Sequence, residues 1–282
     1  MSTAPGNSAG SVPPALFTPL PARSRASERA TCVGALVIFA LAASLTVYFA
    51  RSMSGGMPMP GNWTMDMMWM VMPGQTRIIA ALAFVGIWLA MMVAMMLPSA
   101  LPILLLYRRA AAFRGTSRLG ELTFAVGAGY FVVWTIFGLL AYGGGEAVTR
   151  AAMVWPAWSR GIPLATAAAL VLAGIYQLTP WKSACLNHCR DPLLVVAHHL
   201  HRGWRGALRL GIHHGAFCAA CCWGLMLIQL VLGVMNLAVM SAVALVIALE
   251  KVLVKGALVA RLTGYASVLG GVAMAVRSLL TH

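Results

Sequence analysis

Five of the six cysteines fall between Cys185 and Cys222, in two short groups that each carry histidine. In WKSACLNHCR, Cys185 and Cys189 are four residues apart with His188 between them, so on a helix both thiols point the same way. In GIHHGAFCAACCWGLM, an advance of about 100° per residue puts Cys218, Cys221 and Cys222 in one arc of roughly 100° that also holds His214. His213 adjoins it as an auxiliary donor. Thiolate and imidazole in such a set form the Cys₄ or Cys₃His type of site that Zn(II) or Cu(I) takes. A free cysteine is also a small buried hydrophobe, but packing alone gives no reason for two close-spaced groups with histidine in each.

Methionine is the second soft donor, with 18 in the chain. MMVAMM sets Met91 with Met95 and Met92 with Met96 at helical spacing, so four thioethers line one face. An uncharged sulfur ligand suits Cu(I); methionine is equally an adaptable filler of apolar interfaces. Between Arg51 and Arg77 lie Met53, Met57, Met59, Met65, Met67, Met68, Met70 and Met72. In a segment broken by glycine and proline, exposed methionines have no packing reason to cluster, which favours metal capture by Met57, Met59, Met65, Met67, Met68, Met70 and Met72. Asp66 is either part of such a site or a solvated carboxylate.

The elements that must position these donors are membrane helices. The chain has 282 residues, 61% apolar and only 9% charged, outside the range of soluble domains. Apolar runs at roughly 32–50, 78–106, 120–142, 163–180, 210–232, 238–256 and 263–280 each approach the ~20 residues a spanning helix needs. An all-α transmembrane bundle of about seven helices follows, six being the alternative count. Residues 1–29 read as a disordered cytoplasmic tail and 30–282 as the membrane domain, whose first helix is a retained anchor. Pro98 and Pro102 should break the inner end of the second helix, Gly127 and Gly129 should admit a close neighbour in the third, and Gly143 to Gly145 read as a hinge before a loop with Trp155 and Trp158 at the interface.

The net charge of +14 would suit nucleic-acid binding in a soluble protein, but it lies between the apolar runs and reads as topology. With a cytoplasmic N-terminus, fifteen Lys and Arg fall inside and five outside, so the methionine-rich segment 51–77 faces outward and the cysteine groups inward, where thiols stay reduced. His198, His199 and His201 belong to a basic connector that lies on the anionic leaflet or extends the site. Glu250 beside Lys251 is an intramembrane charged pair, structural or an auxiliary to the metal. Cys32 stands apart. No motif supports a hydrolase, a nucleotide site or nucleic-acid recognition.

Three strings resemble a known family of bacterial integral membrane proteins described as metal-binding, some labelled copper chaperones. They are MMVAMMLPS from Met91, YQLTPWKSACLNHCRDPL from Tyr176 and GIHHGAFCAACCWGLM from Gly211. The likeness runs from about Trp88 to Leu253; Ala220 stands where the family often has glycine. It implies a multi-pass protein of the bacterial inner membrane that binds copper without acting as an enzyme. The order of donors is similar in logic to that of eukaryotic high-affinity copper transporters, with methionine outside, a Met-x-x-x-Met step within and Cys/His inside.

The expectation is therefore a protein that binds Cu(I), with Zn(II) as the alternative, and moves or delivers it from the outer loop along the methionine stripe to Cys185, His188, Cys189, His214, Cys218, Cys221 and Cys222. Its partners would be the lipid bilayer, the metal ion and a membrane metalloenzyme or copper chaperone, with no nucleic acid. The rivals are an assembly subunit with a structural metal site, serving an enzyme such as a copper monooxygenase, and a membrane thiol–disulfide oxidoreductase.

Overall fold

The computed structural model describes residues 22–280 apart from 54, 72, 73, 117 and 200–202. The expected tail lies mostly outside the described residues, as do Met72 and His201; from Ala22 onward the chain is helical. The elements are α1 (Ala22–Ser52), β1 (Gly56–Met59), β2 (Trp63–Asp66), α2 (Arg77–Phe113), α3 (Leu119–Val154), α4 (Pro156–Leu178), α5 (Pro180–Arg190), α6 (Pro192–His199), α7 (Gly203–Leu232), α8 (Leu237–Val252) and α9 (Gly256–Leu280).

Six of these, α1, α2, α3, α4, α7 and α9, are long and apolar enough to cross a membrane. This is a multi-pass helical bundle. The seventh apolar run resolves differently: α8 has 16 residues, about 24 Å of helix against a hydrocarbon core of ~30 Å. The run 238–256 looked longer because the linker Leu253–Val254 is itself apolar. Asn236 caps the start of α8 by accepting from the backbone N–H groups of Ala238 and Val239 at 3.1 and 3.2 Å. Its far end is closed by Arg190, which donates to the carbonyls of Leu253 and Val254 at 2.6 and 3.2 Å.

Two glycine-based seams hold the bundle. Along α3 and α7, Gly129 faces the backbone of Leu208 and Gly211, while Gly211 and Gly215 sit against the backbone of Val126 and Tyr130. Along α4 and α9, Gly174 meets Gly264 and Ala167 meets Gly271, which fixes the two helices as antiparallel. Small residues permit this approach, and backbones that close gain dispersion energy that lipid cannot supply. Of the third helix's two expected contact glycines, Gly129 makes one with a backbone, and Gly127 only touches Leu104.

Two local expectations are corrected. The helix α2 runs unbroken through Pro98 and Pro102; a proline removes one intrahelical bond, which neighbouring helices make tolerable in a bundle. Gly143 to Gly145 form no hinge and lie inside α3. At Gly145 a Cβ would overlap the Trp69 indole, so that glycine is a seat for an aromatic ring.

The segment 51–77 is more ordered than a loop. β1 and β2 pair antiparallel with Met57 opposite Met65 and Met59 opposite Trp63, and Gly61 and Asn62 take positive φ in the turn. The hairpin is pinned to the start of α4, where Trp63 donates to the Ser159 carbonyl at 3.0 Å and Ser159 donates to that of Pro60 at 2.7 Å.

Candidate metal site

The thiols of α7 owe their position to the α3 seam. With Gly211 and Gly215 pressed on α3, the next turn brings Cys218 Sγ to 3.0 Å from the Tyr130 hydroxyl. Cys218, Cys221 and Cys222 are fully buried, and their sulfurs all lie within 4.8 Å of one another. Cys221 and Cys222 are 3.4 Å apart at sulfur. An i, i+3, i+4 pattern on one face delivers three soft donors to one point, a trigonal set of the kind Cu(I) accepts. All six cysteines are free thiols.

The short helix α5 supplies the other cysteine group. Thr179 caps it through the Lys182 N–H at 3.3 Å and Pro180 occupies its first turn, so the chain leaves α4 and re-enters helix at once. Cys189 comes close to Cys218 and Cys221, and interaction with Cys218, with burial, pushes its thiol well above the usual range. Cys185 packs against the same core, near Tyr176, whose hydroxyl donates to the Ala220 carbonyl at 2.5 Å.

The histidines divide. His214 is 3% exposed, stacked on Tyr130 at 5.8 Å between ring centroids, and its Nδ1 has no hydrogen-bond partner among the described residues. His188 stacks on Phe217 at 3.9 Å and meets His213 edge-on at 5.3 Å. Those two imidazoles therefore gather on the Phe217 face of α7, beside the thiols. His198 and His199 lie on α6.

Charged groups around the thiols were only partly foreseen. Glu250 pairs not with its neighbour Lys251 but with Lys182, 2.6 Å away, and both are buried to within 1%. Its second oxygen accepts from Gln177 at 3.0 Å. Lys182 also donates to the Cys221 carbonyl at 2.5 Å, which ties α4, α5, α7 and α8 into one block. Lys251 points the other way, with Nζ 3.0 Å from Cys218 Sγ. From the sequence, Lys182 or Arg190 would compensate the thiolates; in the structure Lys182 serves Glu250 and the Cys221 carbonyl, and the thiol neighbours are Lys251 and Tyr130, which the sequence does not reveal. The available signal was only that Lys182 and Lys251 are ionisable groups at the ends of apolar runs, where burial demands a partner.

The methionine face of α2 is interior. Met91, Met92 and Met96 are fully buried and Met95 is 6% exposed. They share one core cluster with the three α7 cysteines, with Met226, Met235 and Met240, and with Met68. Gln229 of α7 donates to Met91 Sδ at 3.1 Å.

At the hairpin, the expectation of exposed methionines needs correction. Met57 is exposed, Met59, Met67 and Met70 are half-buried, and Met65 and Met68 are buried. Asp66 is half-buried and bonded: one oxygen accepts from the Met68 N–H at 3.1 Å and the other from the Met235 N–H at 3.4 Å. It clasps the hairpin to the α7–α8 connector. Beneath lies a cavity of about 990 Å³ whose walls include Met53, Met65, Met235, Met274, Asp66 and Trp69.

A family model described as PpoB2, copper chaperone, matches residues 85–274. The chain belongs to that family. No curated protein and no solved structure matches it. The span matched to the copper chaperones takes in the α2 methionine face, both cysteine groups, Lys182, Glu250 and Lys251, and it starts beyond the hairpin. Family and thiol cluster together support a metal-binding membrane protein, with copper as the metal that the family's description names.

Proposed function

We propose that this chain binds Cu(I) and carries it between two faces of the bacterial inner membrane. Met57, Met59 and Met65 of the hairpin, with Met67, Met68, Met70 and Met72 of the sequence that follows it, capture the ion on the outer side. Met91, Met92, Met95 and Met96 relay it, and Cys218, Cys221 and Cys222 receive it with Cys189. Cys185, His188, His213 and His214 surround that receiving site and assist release to a chaperone or membrane metalloenzyme. Glu250, engaged by Lys182 and Gln177, holds the site together and is not assigned as a ligand.

The carrying observation is the single buried cluster that contains Met68, the four α2 methionines and the three α7 cysteines. This cluster, which also holds Phe84, Trp88 and Tyr142, puts soft donors in one apolar interior that reaches from the hairpin to the thiols. Thioethers are neutral, so the ion can pass between them without proton release, whereas thiolates hold it more strongly. Transfer runs downhill in affinity and needs no nucleotide.

The test has two arms. Anaerobic competition titration of Cys218→Ser/Cys222→Ser protein should show loss of Cu(I) binding, and unchanged affinity and stoichiometry would remove the thiol site. Met91→Leu/Met95→Leu nearly preserves volume, so it should retain the fold yet slow Cu(I) entry into proteoliposomes at least about tenfold. Wild-type flux in that variant would reduce the stripe to packing and favour the assembly-subunit reading.

A further inference from the structure

Among the described residues, the thiol site has one close cation that no carboxylate neutralises. Of the two lysines at its edge, Lys182 is consumed by the ion pair with Glu250, whose remaining oxygen is taken by Gln177. Lys251, on the next residue of α8, faces the thiols with Nζ 3.0 Å from Cys218 Sγ. We propose that Lys251 is the residue that makes this site prefer a monovalent soft ion, Cu(I), over a divalent one, Zn(II); the inference rests on the thiol site described above.

The geometry bounds the distance. A metal bound to Cys218 at a metal–sulfur length of ~2.3 Å lies no more than about 5 Å from the Lys251 ammonium as placed here. A lysine at that range acts in two ways. It stabilises the thiolates, which helps any metal that uses the same deprotonated ligands, and this cancels when two such metals are compared. It also repels the bound ion in proportion to the ion's charge. Zn(II) feels that repulsion twice over, and a partly buried site screens it little.

The experiment compares Cu(I) and Zn(II) affinities by anaerobic chelator competition on the full chain in detergent, for wild type, Lys251→Met and Lys251→Arg, with Ag(I) and Cd(II) as a redox-inert pair. Lys251→Met should lower the ratio of Cu(I) to Zn(II) affinity by at least about tenfold, and the Ag(I) to Cd(II) ratio likewise, while Lys251→Arg keeps both. Parallel changes for both metals, leaving the ratio within about twofold of wild type, would overturn the proposal. If Lys251→Met lacks the helical circular-dichroism signal of wild type, Lys251→Gln takes its place under the same criterion. Failure of the underlying site is separately visible, because Cys218→Ser/Cys222→Ser protein would then bind Cu(I) normally.

Discussion

Lys182 and Glu250 are charges inside an apolar bundle, and their energetics follow from desolvation. Each costs several kcal/mol to bury and recovers it only through the other's charge and the bonds from Gln177 and to the Cys221 carbonyl. Lys182→Met alone should therefore destabilise the protein by about 3 kcal/mol or more, because the Glu250 carboxylate stays buried without its cation. Lys182→Met/Glu250→Leu should recover most of that loss, and thermal unfolding in detergent distinguishes the two. A single variant as stable as wild type would show that water reaches the pair. At this scale the sequence was informative wherever chemistry is local. The i, i+3, i+4 spacing of Cys218, Cys221 and Cys222 follows from helix period alone, and so does the shared face of Met91 and Met95. The partners of Lys182 and Lys251 were not legible, because adjacency of Glu250 and Lys251 suggests a pair, while successive helical residues point about 100° apart.

Among the helices, the close seam of α3 and α7 decides where the thiols sit. Gly211→Ala adds a Cβ that overlaps the Val126 carbonyl, so the helices must separate and Cys218 must withdraw from Tyr130. A loss of about 2 kcal/mol is expected, together with weakened Cu(I) binding. Gly127→Ala, in ordinary contact with Leu104, should be neutral or slightly stabilising, since alanine favours helix by up to ~1 kcal/mol over glycine. Equal behaviour of the two variants in unfolding and titration would refute the seam's role. Element type was legible from apolar runs, but lengths and breaks were not. Pro98, Pro102 and Gly143 to Gly145 signal interruptions by their local preferences, and tertiary packing overrides them: neighbours support α2, and Trp69 fills the space that Gly145 leaves. The hairpin was missed because methionine carries no strand signature, and its pairing is set by the Gly61–Asn62 turn and by Trp63 docking on Ser159.

Across the whole molecule, the hairpin lies at one end and the thiols at the depth where α4 passes into α5, with a continuous buried cluster between them. Asp66 fastens the hairpin to the connector that leads into α8, the helix that carries Lys251 in its last turn. Asp66→Ala should release the hairpin without unfolding the bundle. Limited proteolysis should then cut within 51–77 faster than in wild type, with helical circular dichroism unchanged; equal protection would mean that Trp63 and Ser159 suffice. The α4–α9 seam has a consequence for how the protein is made. Gly174 and Gly264 are separated by ninety positions of chain, and α9 is the last of these helices to leave the ribosome. Before it docks along α4, the far end of α8 is already held by Arg190 and by the Lys182–Glu250 pair, so Lys251 has its place beside Cys218 without α9. The thiol pocket, built from α3, α5, α7 and α8, is thus independent of α9, whose docking instead seals the lipid-facing side of α4.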